Sequence, residues 1–385
     1  MEIQGECRPG FAGVKDGFQK NFADGLDVGA SVAVAVDGEL VVDLWAGHAD
    51  AERSRPWERD TIVNVWSSSK TVSALCALML VDRGQLDLDA PVSRYWPEFE
   101  RAGKHGARVR HVLAHSAGVP GFERAIDAHT LYDWERATGL LAEQAAWWEP
   151  GTASGYHAIT QGYLIGELVR RVDGRSLGAF LREEIAGPLD ADFHIGLGAS
   201  EDHRVADLIF PGPTGEGLTG LLDELGGLAN RVLGNPSGLL AAASTEAWRR
   251  AEIPAANGHG NARAIARAMA PLAGDGSAWG TRLLSDKTCE RVLEEQVQGK
   301  DRVLGIPLRF GLGFALAGGI FPLGPRAMAW GGLGGSVVII DRDARMTFAF
   351  AMNRMGATLV GDQRTINLLM PVLGGLQSFQ TAIPA

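Results

Sequence analysis

The β-forming stretches of this chain lie at its two ends. Near the start, Gly29 opens the valine-rich run Ala30 to Val36, Asp37-Gly38 follows, and Leu40 to Trp45 returns. Two such runs about an Asp-Gly pair are a strong hairpin signal. Near the other end, Met328 to Trp330, Ser336 to Asp341 and Met346 to Asn353 are strand-like, with Asp341 to Arg345 as a turn. The middle, from about Leu86 to Gly280, is rich in Ala and Leu, with helical spacing at Leu131 to Ala146, Ala158 to Val172 and Ala262 to Ala273. Strands at both ends with helices between them imply a discontinuous domain. The expected fold class is α/β, of α+β type: one antiparallel sheet built from both chain ends and flanked by helices at Phe11 to Asp24 and Asp362 to Leu373, with an inserted, mainly helical domain. The boundaries read as 1–85 plus 281–385 for the sheet domain and 86–280 for the insertion, with the site at their junction.

At 385 residues the chain exceeds a typical domain of ~100–200 residues, which suits one large or two intimate domains. Its 46% hydrophobic and 21% charged residues are ordinary for a globular protein and exclude a disordered or fibrous chain. The net charge of -10, without a run of Lys or Arg able to follow phosphates, argues against nucleic acid as a partner. Met1 to Gly10 lacks the basic and apolar regions of an export signal, and no run reaches the ~18 apolar residues of a membrane helix. Cys7, Cys76 and Cys289 lie far apart and encode neither a disulfide framework nor a zinc site. The expectation is a cytoplasmic protein acting on a small molecule without metal or cofactor, with no membrane partner, and compatible with a homo-oligomer. There is no GxGxxG loop, P-loop, HExxH or GxSxG elbow.

Three short strings can carry chemistry. In Val65-Trp66-Ser67-Ser68-Ser69-Lys70-Thr71, Ser67 and Lys70 stand three apart at the start of a helix expected over Ser67 to Gly84, which reads as amphipathic from Val72, Leu75, Cys76, Met79 and Leu80. A serine hydroxyl needs a base, and a desolvated lysine can serve as one. Among Lys15, Lys20, Lys70, Lys104, Lys287 and Lys300, only Lys70 has a serine three residues before it. Alone, the pair also fits a serine-rich cap with an idle, solvated lysine. In Pro150 to Tyr156 a turn delivers Tyr156 just ahead of a helix; its phenol can pass protons, or simply pack under the loop. Trp330-Gly331-Gly332-Leu333-Gly334-Gly335-Ser336 is glycine-rich between strands, marking either close backbone approach to a ligand or a bulge.

Together and in this order, the three strings resemble the motifs of the serine β-lactamase and penicillin-binding-protein superfamily. Within it the chain is most similar to the class C-related family VIII carboxylesterases, whose third motif often reads WGG. The supporting strings are Asn64 to Thr71, His111 to Gly121, Pro150 to Arg171, Asn257 to Ala268 and Trp330 to Met355, spanning nearly the whole chain. The resemblance implies a β-lactamase-like fold with Ser67 as nucleophile, Lys70 as its base and Tyr156 as proton shuttle. It implies an oxyanion hole of the Ser67 and Leu333 N–H groups, and a substrate wall drawn from Trp330, Gly331, Gly332, Trp66 and His157. Trp147 and Trp148 are further wall candidates, whereas His111, His115 and His259 are expected to be structural.

The family's Tyr-x-Asn is Tyr156-His157-Ala158 here, and its Lys-Thr-Gly is Trp330-Gly331-Gly332. Both changes remove polar groups that would bind an acyl amide and a β-lactam carboxylate, so the resemblance implies a site for neutral substrates. The leading reading is a serine carboxylesterase hydrolysing short-chain acyl esters through an acyl-enzyme on Ser67. An amide or β-lactam hydrolase, or an acyltransferase on the same fold, is the alternative. A binding protein that has lost activity is disfavoured by the complete Ser67, Lys70 and Tyr156 set.

Overall fold

The computed structural model describes residues 2–211, 227–318, 323–358 and 361–381. Part of the expected insertion, 212–226, lies outside them. The strands of the sheet are β1 (Gln4–Cys7), β2 (Gly29–Val36), β3 (Glu39–Gly47), β4 (Val297–Lys300), β5 (Pro307–Phe310), β6 (Ala315–Leu316), β7 (Ala327–Gly331), β8 (Val337–Asp341) and β9 (Met346–Met352). They pair antiparallel in the order β1-β3-β2-β9-β8-β7-β6-β5-β4. The central pairing joins the two chain ends, with Val32 opposite Phe350 and Ser31 opposite Ala351. The sheet is mixed in origin and antiparallel throughout, as the strand-rich ends imply.

Side chains alternate between faces along a strand, and here the two faces differ in size. Ser31, Ala33 and Ala35 of β2 and Thr347, Ala349 and Ala351 of β9 make one face small. The Ala-rich helix α5 (Ala262–Ala273) packs there, with Ser31 Oγ accepting from Ala262 N at 3.1 Å and Thr347 Oγ1 donating to Ala266 O at 3.2 Å. On the other face Phe350 meets the guanidinium of Arg364, on the closing helix α6 (Gln363–Thr381). Helix α1 (Ala12–Ala23) packs along α6, tied by Asn367 Nδ2 donating to Asn21 Oδ1 at 2.8 Å. The sequence places α5 inside the 86–280 insertion. Its small-residue match to β2 and β9 makes it a covering helix of the sheet instead, so residue 280 does not separate sheet from insertion.

Helix α2 (Ser69–Asp82) differs from expectation in another way. It is not amphipathic in its setting, because every residue from Ser69 to Leu80 is buried. Helix α5 covers part of it, and α4 (Thr160–Asp173), preceded in the chain by α3 (Trp134–Glu143), covers another part. A helix enclosed on all sides needs no polar face, which is why its sequence is apolar all round. From Thr61 to Leu80, Ser67 alone is not buried. Among the described residues, no helix is long and apolar enough to cross a membrane.

Candidate active site

The chain reaches α2 from a two-residue strand, Val63–Asn64, paired with His259–Gly260. Trp66 then takes a left-handed backbone with φ +49°, a conformation that costs a tryptophan free energy and turns Ser67 outward. The turn is braced by Val65 N donating to Gly258 O at 2.9 Å, and by the buried Asn257, whose Nδ2 donates to Trp248 O at 2.8 Å and Ala251 O at 2.6 Å. The three consecutive serines separate by partner. Ser68 Oγ lies 2.9 Å from Ser336 Oγ, and Ser69 Oγ bonds Trp66 O and accepts from Gly258 N. Ser67 Oγ instead meets Lys70 Nζ at 3.0 Å and the Tyr156 hydroxyl at 2.7 Å.

The surroundings of Lys70 bear on its protonation. Burial holds its ammonium well below the ordinary lysine range. Nζ donates to Ala158 O at 2.7 Å and Ala255 O at 2.8 Å. A neutral amine has two N–H donors and one lone pair. With both donors on carbonyls, the lone pair is left for the Ser67 hydroxyl proton.

Tyr156 is fixed from both ends. Its N–H donates to Asp301 Oδ1 at 3.0 Å, and the same oxygen accepts from Val303 and Leu304 N–H at 2.9 Å each. Its ring sits 5.1 Å from Trp330 and 5.0 Å from His115. Burial pushes the phenol above its ordinary value, partly offset by the Ser67 bond, so it rests protonated. Around Tyr156 and Trp330 the packing is apolar, with Ala158, Ala229, Val232, Val303, Leu304 and Phe310.

The glycines of the third string mark close approach. A β-carbon at Gly332 would lie 2.2 Å from Val65 O and 3.2 Å from Ser67 N, so only glycine lets this chain segment press against the turn that carries Ser67. Gly331 ends β7 and is buried, and Leu333 is half-buried. Among the described residues, none accepts a hydrogen bond from the Ser67 or Leu333 N–H.

Two residues of the expected substrate wall are turned into the protein. Trp66 packs against Trp248 at 5.7 Å. His157 is fully buried, with Nδ1 on Gly155 O at 2.6 Å and Nε2 accepting from Val119 N at 3.2 Å. Both of its nitrogens are used by backbone, which leaves none for a substrate. Trp330 is also buried and acts as backing for Tyr156. Of the further tryptophans, Trp148 donates to Ala153 O at 3.0 Å and Trp147 lies 3.8 Å under Arg231. His115 accepts from His157 N at 3.1 Å, and His111 Nδ1 from Arg108 N at 3.2 Å, both structural roles. Asp301 and the carbonyls of Ala158 and Ala255 were missed. An aspartate in a loop has no motif, and a backbone acceptor has no sequence identity at all.

The chain and its fold are similar to known proteins. The beta-lactamase family model matches residues 18–369, and the chain belongs to that family. It is an enzyme of the serine-hydrolase class. The esterase/beta-lactamase LipL of Mycobacterium tuberculosis (strain ATCC 25618 / H37Rv) is 36% identical over 372 residues, covering 93% of this chain and 84% of that protein. The crystal structure of a family VIII carboxylesterase superposes with a TM-score of 0.91 at 40% identity, covering 97% of this chain and 100% of that one. A penicillin-binding protein homologue from Caulobacter crescentus superposes with a TM-score of 0.88 at 37% identity, over 97% of this chain and 100% of that one.

Proposed function

We propose that this protein is a carboxylesterase that hydrolyses short-chain acyl esters through an acyl-enzyme on Ser67. The observation that carries the reading is the count of donors at Lys70: two carbonyls take its two N–H groups, and Ser67 Oγ faces what remains. As Oγ attacks the acyl carbon, the Ser67 proton passes to the Lys70 lone pair. The tetrahedral anion is received by the Ser67 and Leu333 N–H groups, beside the N-terminus of α2. Tyr156, protonated at rest beside Ser67 Oγ, gives its proton to the leaving alkoxide and is reprotonated by the Lys70 ammonium, so the proton taken from Ser67 leaves with the alcohol. Water then repeats the sequence on the acyl-enzyme and releases the acid. The apolar residues around Tyr156 suit an uncharged acyl or alcohol group.

A β-lactam substrate is the second reading, favoured by the similarity to the esterase/beta-lactamase LipL of Mycobacterium tuberculosis. The Trp330-Gly331-Gly332 string offers no cation or hydroxyl to a β-lactam carboxylate. Each missing charge-assisted hydrogen bond costs about 1.5–3 kcal/mol, so turnover of penicillins and cephalosporins is expected to be at least tenfold slower than that of esters. The test runs p-nitrophenyl esters of increasing chain length beside a chromogenic cephalosporin, with mass spectrometry of the Ser67 peptide after phosphonate treatment. Cephalosporin turnover matching the best ester would replace the first reading by the second. An adduct on Ser68 or Ser336 would remove the assignment of the nucleophile.

A further inference from the structure

The turn that follows Gly332 is held from behind by a buried arginine. Gly334 and Gly335 adopt φ of +84° and +124°, the most permissive kind of backbone. Left to itself, such a turn would not hold the Leu333 N–H to the ~0.5 Å that a preorganised site needs. Its own backbone supplies part of the restraint: Gly332 N donates to Ser336 O at 2.8 Å and Gly335 N to Gly332 O at 3.1 Å. The rest comes from the segment after β9. Gly334 N donates to Thr358 O at 3.0 Å, and Gly334 O accepts from Gly356 N at 2.7 Å and from Arg364 Nη2.

Arg364 stands near the start of α6 with its guanidinium buried, and its donors are distributed over several segments. Nη1 donates to Arg354 O at 2.6 Å and to Asp27 Oδ1 at 3.1 Å; Nε and Nη2 fork onto Asp362 Oδ2 at 3.0 and 2.6 Å. The contact with the turn leaves no space: a β-carbon on Gly335 would lie 2.3 Å from Nη2 and 3.0 Å from Asp362 Oδ2. One planar group therefore joins the Gly334 turn to the chain before β2, the chain after β9 and α6. A point-like ammonium could not bridge these acceptors in the same way.

We propose that Arg364 is a positioning residue for acyl transfer: its guanidinium, clamped by Asp27 and Asp362, fixes the Leu333–Gly335 turn so that the Leu333 N–H faces the acyl oxygen next to Ser67. This rests on the acyl-enzyme reading above. It assigns Arg364, which touches neither species, an effect on the tetrahedral anion through the Leu333 N–H and little on the binding of the resting ester.

The test compares wild type with Arg364→Lys, which keeps the charge between the two aspartates but loses the fork, and with Asp362→Asn, at a partly exposed position that loosens the guanidinium. Three quantities are read: kcat and KM for p-nitrophenyl butyrate, inhibition by a trifluoromethyl ketone that forms a tetrahedral anion on the serine, and inhibition by butyrate, which forms none. Arg364→Lys is expected to lower kcat about 10- to 100-fold and to weaken the ketone by a similar factor, with KM and butyrate inhibition within about threefold of wild type; Asp362→Asn follows the same pattern at about 3- to 10-fold. Folded variants that keep kcat and ketone affinity within about twofold, or that lose butyrate and ketone inhibition alike, overturn the proposal. If Arg364→Lys does not fold, Asp362→Asn decides. Fluorophosphonate labelling of the wild type separates the two layers. A label on Ser67 with unaffected variants sinks only the role of Arg364, whereas a label elsewhere sinks the acyl-enzyme reading itself.

Discussion

Lys70 and Lys104 are both buried lysines, and the region around each shows what burial alone does not decide. Lys70 donates to two carbonyls and faces Ser67 Oγ. Lys104 faces three carbonyls, of Arg101, Ala142 and Gln144, and lies 5.0 Å from the Phe99 ring. Three acceptors require three protons, so Lys104 works as an ammonium pinning the chain at Arg101 to the end of α3, although burial pulls it down to about 8. Two acceptors require two, and Lys70 can be a neutral amine with a lone pair directed at a hydroxyl. A buried lysine becomes a base when its last partner brings a proton.

The tyrosines repeat the contrast. Tyr156 and Tyr163 are both buried and both pushed upward by burial, but Tyr156 donates to Ser67 Oγ at 2.7 Å and Tyr163 to Leu131 O at 2.6 Å. One phenol has a reactive partner and the other has a carbonyl that goes nowhere.

The largest effect should come from the hydroxyl itself. Ser67→Ala is expected to reduce ester turnover by about 10⁴-fold or more with an unchanged melting curve, because it removes the bond-forming atom and little volume. Ser68→Ala should retain most activity, since among the described residues that hydroxyl bonds Ser336 alone; equal losses in both would mean the serines are not separated as described.

Next comes the lysine pair. Lys70→Arg keeps the charge but cannot give it up, and should cost about 10²–10⁴-fold in kcat/KM across the pH range. Lys104→Met should do the opposite. It should leave kcat/KM within a few-fold of wild type and destabilise the fold by about 3 kcal/mol or more, read from urea unfolding, because carbonyls are orphaned. An active Lys70→Arg would reduce Lys70 to an electrostatic support. In the wild type, kcat/KM should rise with pH as the Lys70 ammonium, depressed by burial, releases its proton.

Tyr156→Phe should lose about 10- to 100-fold in kcat with one ester, whereas Tyr163→Phe should alter stability by only about 1 kcal/mol and leave kcat alone. Matching losses of activity in the two would erase the distinction between their partners.

The last effect is on stability against acid, and it leaves turnover near neutral pH untouched. Burial lowers His157 and His259 to about 3 and His115 well below its usual value. The folded-state values of His157 and His259 lie below the unfolded value of ~6.5, so the stability each contributes is complete above pH 6.5 and is lost as pH falls toward 3, and His115 acts in the same direction. Each buried histidine should remove about 1.4 kcal/mol per pH unit in that window, measurable as a falling urea midpoint. A flat midpoint from pH 7 to 5 would show that the folded protein accepts these protons.

Much of this was legible in the chain itself, where the determining contacts are local. The Asp37-Gly38 hairpin forms as read, with β2 and β3 on either side. Ser67 and Lys70 meet because residues three apart share a face, and Gly332 is glycine because a side chain there would strike the turn that carries Ser67. Other features required the folded chain. The expected amphipathic α2 is enclosed on every side, α5 belongs to the sheet, and Trp66 and His157 face inward. Above all, the carbonyls of Ala158 and Ala255 that hold Lys70 come from positions 88 and 185 residues away. Periodicity and spacing record what a residue's neighbours along the chain require. A carbonyl is the same at every residue, so which one arrives beside an amine is decided only when the sheet closes and brings distant backbone together.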